Sequence, residues 1–339
     1  MSEYVNPHSL TDQKIDDLVS GVVTRKTRDI ARAITIVENQ GAAAESFMAA
    51  LASGPVSRSR ARTIGITGAP GVGKSTMTAA LISSYRAQGM SVAVLAVDPS
   101  SPFSGGALLG DRIRMQSHSS DPEVFIRSMA SRGHLGGLAA TAGQVLRVFD
   151  AAGFDVVLIE TVGVGQSEVE IAAAADTTVV LLAPGMGDGI QAAKAGILEI
   201  GDVFVVNKAD REGAQSTARD VRNMLTLGHE KDSSSWEPAV VTSVASTGQG
   251  VPEVVQAIDS HHDWAQQHGE LQRRRLVRAR EEVMSALMER IRGLVFDASH
   301  EIVVNEVSQA VSEGDLAVYQ AADALWNSLV HSTDGTDIS

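Results

Sequence analysis

The stretch "GITGAPGVGKST" leaves an apolar run, passes through three glycines and reaches Lys74 and Ser75, matching G-x-x-x-x-G-K-[ST] at Gly68, Gly73, Lys74 and Ser75. Glycine adopts positive φ without penalty and leaves its backbone bare. A loop made of Gly68, Ala69, Pro70, Gly71, Val72 and Gly73 can therefore curl its N–H groups around phosphate oxygens, at the N-terminus of the helix that Lys74, Ser75 and Thr76 open. In such a loop the Lys74 ammonium reaches the β and γ phosphates and the Ser75 hydroxyl faces Mg²⁺. A ligand-free glycine-rich turn is the alternative, and the coincidence of motif with strand-to-helix context argues against it.

A second constellation, "VVNKAD", puts Asn207, Lys208 and Asp210 directly after another apolar run. A carboxylate at Asp210 accepts hydrogen bonds from the N1–H and 2-amino group of guanine, a pair that adenine does not offer. Guanine is the expected base. Downstream, "VTSVAS" brings the backbone of Ser243, Val244 and Ala245 to where guanine O6 would lie.

Mg²⁺ is octahedral and needs further oxygen ligands. Three acids are candidates: Asp98 in "AVDPSS", Asp111 in "LLGDRIRM" and Glu160 in "DVVLIETVGVGQSE". An Asp before Pro can simply initiate a turn. Glu160 is harder to explain without a ligand, because it ends an apolar run, and burying a carboxylate without metal or donor costs several kcal/mol. It is assigned to Mg²⁺ and its water, and the loop with Gly163 and Gly165 is expected to move when the γ-phosphate leaves. Gln166 lies beyond the second glycine and is not assigned to position the attacking water.

Seven short apolar, β-branched runs must carry these residues: "TIGIT", "SVAVLAV", "EVFIRS", "DVVLIE", "TTVVLLA", "DVFVVN" and "PAVVTS". Continuous apolar strands separated by helical segments predict an α/β fold with a mostly parallel sheet covered by helices on both faces. The stretch before the first run has helical spacing. After Val251 the text is helical again, with Leu276, Val283, Leu287, Ile291 and Leu294 on one stripe of a charged helix that needs a partner. The expected organisation is a helical region over 1–55, a nucleotide domain over 56–268, a helical arm over 269–332 and a tail over 333–339.

Composition narrows the partners. A net charge of −13 over 339 residues argues against nucleic acid. Zero cysteines exclude disulfides, thiolate metal sites and a Cys nucleophile. The N-terminus lacks the pattern of a signal peptide, and the longest apolar runs fall short of the roughly 20 residues that span a bilayer. A cytoplasmic protein without membrane contact is expected.

Taken together, "GAPGVGKST", "AVDPSSPFSGGALLGDRIRM", "ETVGVGQSE" and "NKAD" resemble the G3E-related P-loop GTPases of the MeaB and ArgK type, the GTPase chaperones of adenosylcobalamin-dependent methylmalonyl-CoA mutase. The resemblance extends over nearly the whole chain. It implies that Lys74 and Ser75 hold phosphate and Mg²⁺, that Asp98, Asp111 and Glu160 form the acidic surround, and that Asn207, Lys208 and Asp210 read guanine. It also implies a homodimer through the C-terminal arm and a third mobile loop, "APGMGDGIQAAKAG", whose Asp188 and Lys194 respond to the mutase. Met186 and Gly189 depart from the commoner wording of that loop.

The expected function is a Mg²⁺-dependent GTPase, with Lys74, Glu160 and Lys194 in catalytic roles, that gates cofactor loading and protection of an acyl-CoA mutase. Slow hydrolysis raised by the partner is expected, and an adenosyltransferase is a candidate third component. The alternative is an ATPase or kinase of lysine, arginine and ornithine transport, against which Asp210 argues. A nickel-inserting relative needs Cys ligands that are missing. His261, His262 and His268 read as a solvated helix, because adjacent positions point to different faces. Arg273 to Arg275 read as a charged helix face or a contact to an acidic partner.

Overall fold

Each of the seven apolar runs becomes a strand, and every ladder between them is parallel. The computed structural model describes residues 12–54, 60–99, 118, 120–131, 137–161, 173–185, 197–228, 235–295 and 301–333. Three helices come first: α1 (Asp12–Val23), α2 (Thr27–Asn39) and α3 (Ala42–Ser53). Then β1 (Arg62–Thr67), α4 (Lys74–Ala87), β2 (Val92–Pro99), β3 (Val124–Ser131), α5 (Gly137–Ala151) and β4 (Val156–Thr161) follow. The sheet is completed by β5 (Thr177–Leu182), α6 (Ile197–Ile200), β6 (Val203–Val206), α7 (Ala214–Gly228) and β7 (Ala239–Thr242). Its order is β3-β2-β4-β1-β5-β6-β7, the doubly wound arrangement of P-loop NTPases.

Alternation along the strands sends apolar side chains to both faces of the sheet, where the two largest clusters form. On one face Val156 and Leu158 of β4 join Val92, Val94 and Ala96 of β2 and pack on α4 and on α8 (Val251–Gln267). On the other, Val157 and Ile159 join Ala93, Leu95 and Val97 and pack on α1, α2, α3 and α5. The N-terminal helices therefore share their core with the sheet. Each fully buried aliphatic chain contributes roughly 1.5–3 kcal/mol, which is why both faces of the central strands stay apolar. Parity has a functional consequence: Glu160 follows Val156 and Leu158 at two-residue steps and must face α4.

The chain divides into two units, Met1–Ala279 and Arg280–Ser339, and α9 (Glu270–Val295) crosses the boundary. In the second unit α10 (Glu301–Glu313) and α11 (Val318–Thr333) pack on each other and bury Ala321 and Leu329. Val283, Leu287, Leu294, Tyr319 and Trp326 stay exposed.

The first turns of α9 are fixed by two buried carboxylates at the N-terminal ends of β5 and β6. Asp176 accepts hydrogen bonds from Arg275 at 2.6 Å, Arg278 at 3.1 Å and the Thr63 N–H at 3.2 Å. Asp202 accepts from Arg274 at 2.7 and 2.8 Å and from the Thr178 N–H at 2.8 Å, with His261 Nε2 at 3.2 Å. The expectation for the arginine run is thereby corrected: Arg274 and Arg275 bind acids of their own chain, and Arg273 pairs with Glu270 at the surface. The histidine reading is corrected too. His261 and His262 are buried, His261 bonds Thr177 Oγ1 at 2.9 Å and clusters with the Trp236 and Trp264 rings, and of the three only His268 is exposed.

Burial alone would raise the Asp176 carboxyl, but the Arg275 hydrogen bond and the Arg278 charge hold it below the usual range. Burial likewise opposes ionisation of Asp202, and His261 and Arg274 overcome it. Stability from both groups is complete above the ordinary aspartate value of about 4 and is lost as pH falls through their depressed values. Asp202→Ala, which leaves Arg274 and the Thr178 N–H without this acceptor, should cost about 3 kcal/mol at neutral pH. Urea unfolding at pH 7 and at pH 3 checks this. The gap between wild type and variant should narrow at the lower pH, and an equal gap at both would mean that the charge is not what stabilises.

Candidate nucleotide site

The glycine loop leaves the C-terminal end of β1, beside the point where the strand order reverses. Gly68 has φ +137° and Gly73 φ +99°. A Cβ at Gly68 would run into the Leu181 carbonyl, and one at Gly73 would meet Asn207 Nδ2 at 2.5 Å. These glycines are required by close approach as well as by φ. Val72 is buried under the loop, while Pro70 and Gly71 are exposed at its rim.

Lys74 is buried and its ammonium donates to the carbonyls of Gly68 at 2.7 Å and Ala69 at 3.1 Å, so it is folded back along the inside of the loop. Ser75 is buried behind it, and Thr76 faces outward on the first turn. Ser75 Oγ donates to Glu160 Oε1 at 2.6 Å, and Thr78 Oγ1 donates to Glu160 Oε2 at 2.8 Å. Glu160, with 3% of its surface exposed, thus sits at the tip of β4 with each carboxylate oxygen receiving a hydroxyl from α4. Next to it, Thr161 Oγ1 donates to Thr67 Oγ1 at 3.3 Å, closing the tips of β4 and β1 together.

Asn207 connects the two motifs. Its Nδ2 donates to the Val72 carbonyl at 2.8 Å, and its Oδ1 accepts from the Ala245 N–H at 3.0 Å and Ser243 Oγ at 3.3 Å. Lys208, at φ +57°, donates its ammonium to the Gly71 carbonyl. The Ala209 N–H donates to the Ser243 carbonyl at 3.0 Å, so the loop ending in exposed Asp210 is stitched to the loop after β7. The amides of Ser243, Val244 and Ala245 are engaged by Val206 O, Gln249 O and Asn207 Oδ1 respectively. This segment holds the loop before Asp210 in place.

Lys74, Ser75, Glu160, Asn207 and Lys208 are therefore brought together around one loop. Asp98 lies near the end of β2 in register with Ala130 of β3, inside the strand and not after it. Asp111, Gln166, Asp188 and Lys194 lie outside the described residues. Sequence reasoning missed Thr78, and it missed Asn207 as the bridge from the glycine loop to the loop after β7. The signal for Thr78 was available: it follows Ser75 by three positions on a helix and so shares its face.

The donor set fits the groups that the motifs imply. Glycine backbone, a buried ammonium and a helix N-terminus suit phosphates. A serine hydroxyl beside an ionisable carboxylate offers the hard oxygens that Mg²⁺ takes.

Comparison with known proteins adds an independent line. The sequence profile of the family described as Methylmalonyl Co-A mutase-associated GTPase MeaB matches residues 30–300. A Pyrococcus horikoshii protein with a GTPase name is 44% identical over 319 residues, 94% of this chain and 99% of its own. The Mus musculus protein "Methylmalonic aciduria type A homolog, mitochondrial" is 31% identical over 328 residues, 92% of this chain and 78% of its own. Among solved structures, that of a LAO/AO transport system kinase superposes with a TM-score of 0.68 at 25% identity, covering 94% of this chain and 98% of that one.

Proposed function

The chain belongs to the MeaB family of methylmalonyl-CoA mutase-associated GTPases, and from that premise we propose that it binds and hydrolyses GTP with Mg²⁺ and uses the nucleotide state to govern its association with an adenosylcobalamin-dependent acyl-CoA mutase. Methylmalonyl-CoA mutase is the foremost candidate. The observation that carries the reading is the Asn207 bridge, which fixes the loop before Asp210 against the phosphate loop and sets base and phosphate recognition in one frame.

In this mechanism the Lys74 ammonium exchanges the Gly68 and Ala69 carbonyls for β and γ phosphate oxygens, and the loop amides and the N-terminus of α4 receive the remaining charge. Ser75 and Glu160 would hold Mg²⁺, which supplies positive charge to the phosphates when bound. With its proton given to Glu160, the Ser75 hydroxyl keeps its lone pairs for the metal. Asp98 and Asp111 complete the acidic surround, Asp210 reads guanine, and Lys194 adds charge once the mutase is bound. Glu160 stands at the tip of β4, one residue from its end, and in this reading its carboxylate connects the phosphate site to the partner-facing surface.

The working unit in this reading is a cytoplasmic homodimer joined through the arm, which accords with the exposed Val283, Leu287, Tyr319 and Trp326, and an adenosyltransferase is a further partner. The likeness to a LAO/AO transport system kinase keeps a second reading, an ATPase or kinase linked to amino-acid transport. Parallel titration with GTP and ATP separates the two: GTP should bind at least about 100-fold more tightly, as expected for a site that rejects a base lacking its hydrogen-bonding groups. Equal affinities would favour the transport reading.

A further inference from the structure

We infer that Thr78 is a positioning residue of the nucleotide site: its hydroxyl, with that of Ser75, helps to fix the plane of the Glu160 carboxylate. The inference rests on the reading of Glu160 as a metal-side residue. Ser75 and Thr78 are three apart on α4 and share a face, and strand parity turns Glu160 toward that face. Ser75 serves Oε1 at 2.6 Å and Thr78 serves Oε2 at 2.8 Å. Thr78 Oγ1 also lies 3.1 Å from the Lys74 carbonyl, but a hydroxyl has one proton, and the shorter contact to a charged acceptor takes it.

The terminal torsion of a glutamate is broad and close to two-fold. A hydroxyl on each oxygen restrains rotation about that bond more than a hydroxyl on one, and helps to aim the remaining lone pairs. Thr78 is fully buried, a setting where valine would fill the same volume. The phosphate-loop pattern ends at Ser75 and demands no hydroxyl at this position. The hydroxyl thus has a polar task, and the carboxylate is its target.

The test uses Thr78→Val, Thr78→Ser, Glu160→Gln and the Val/Gln double variant. It measures the factor by which Mg²⁺ tightens binding of a fluorescent GDP, with single-turnover GTP hydrolysis and melting temperature beside it. Thr78→Val should keep its Mg²⁺-free GDP affinity, lose about tenfold of the Mg²⁺ effect and hydrolyse GTP about tenfold more slowly, the lower end of what one hydrogen bond to a charged group is worth. Thr78→Ser should restore both. In the Glu160→Gln background the valine should add less than about twofold, because it acts through the residue already changed.

Wild-type values in Thr78→Val, failure of serine to restore them, or an additive loss in the double variant would overturn the inference. If Glu160→Gln itself behaves as wild type, the reading of Glu160 falls and this inference with it. If Glu160→Gln is impaired and Thr78→Val is not, only the role of Thr78 is lost.

Discussion

Lys74→Ala should lower single-turnover GTP hydrolysis by about 1,000-fold, the scale on which a charge aimed at a transferring phosphoryl group contributes. Alanine removes the ammonium that donates to the Gly68 and Ala69 carbonyls and leaves those carbonyls to face the phosphates. Those carbonyls are polar groups at a site open to ligand, so the fold itself should lose little. A melting temperature within a few degrees of wild type, together with the collapse in turnover, would locate the effect in chemistry. Near-normal hydrolysis would remove the phosphate loop from the account.

Asp210→Asn should weaken GTP by two hydrogen bonds to a charged acceptor, each worth roughly 1.5–3 kcal/mol, and so by at least about 100-fold. The same change should improve xanthosine triphosphate, whose 2-oxo group meets a donor where guanine offered its amino group. Asp210 is exposed and its loop is held through Ala209, Asn207 and Lys208, so asparagine should leave the frame of the site intact. Competition titrations with both nucleotides decide the matter. An unchanged preference for GTP would mean that the base is read elsewhere.

The seven strands were legible because a strand covered on both faces must be apolar at every position, a pattern that no surface helix shares. The glycine pattern of the loop after β1 was legible because close backbone approach restricts its residue types. The direction of Glu160 could also be read: counting by two from Val156 and Leu158 puts it on the α4 face. Thr78 escaped because the motif stops at Ser75, although helical spacing assigns both to one face. His261 escaped for a related reason. It falls on the stripe of Val254, Ile258 and Ala265, all buried, but its neighbours His262 and Asp263 gave the segment a polar look. The fixing of α9 by Asp176 and Asp202 was not legible at all. Those acids precede their arginine partners by 72 to 102 positions, and only the closed sheet brings them under the same helix.

The central claim is that nucleotide state sets the affinity of this chain for an adenosylcobalamin-dependent acyl-CoA mutase. Its most direct test is equilibrium binding of the purified chain to purified methylmalonyl-CoA mutase, with Mg²⁺ and either a non-hydrolysable GTP analogue or GDP. A coupling between sites of the usual size corresponds to a difference of about 5- to 150-fold, and the account predicts a ratio of dissociation constants within that range. Binding of equal strength in both states, or no binding in either, would contradict it.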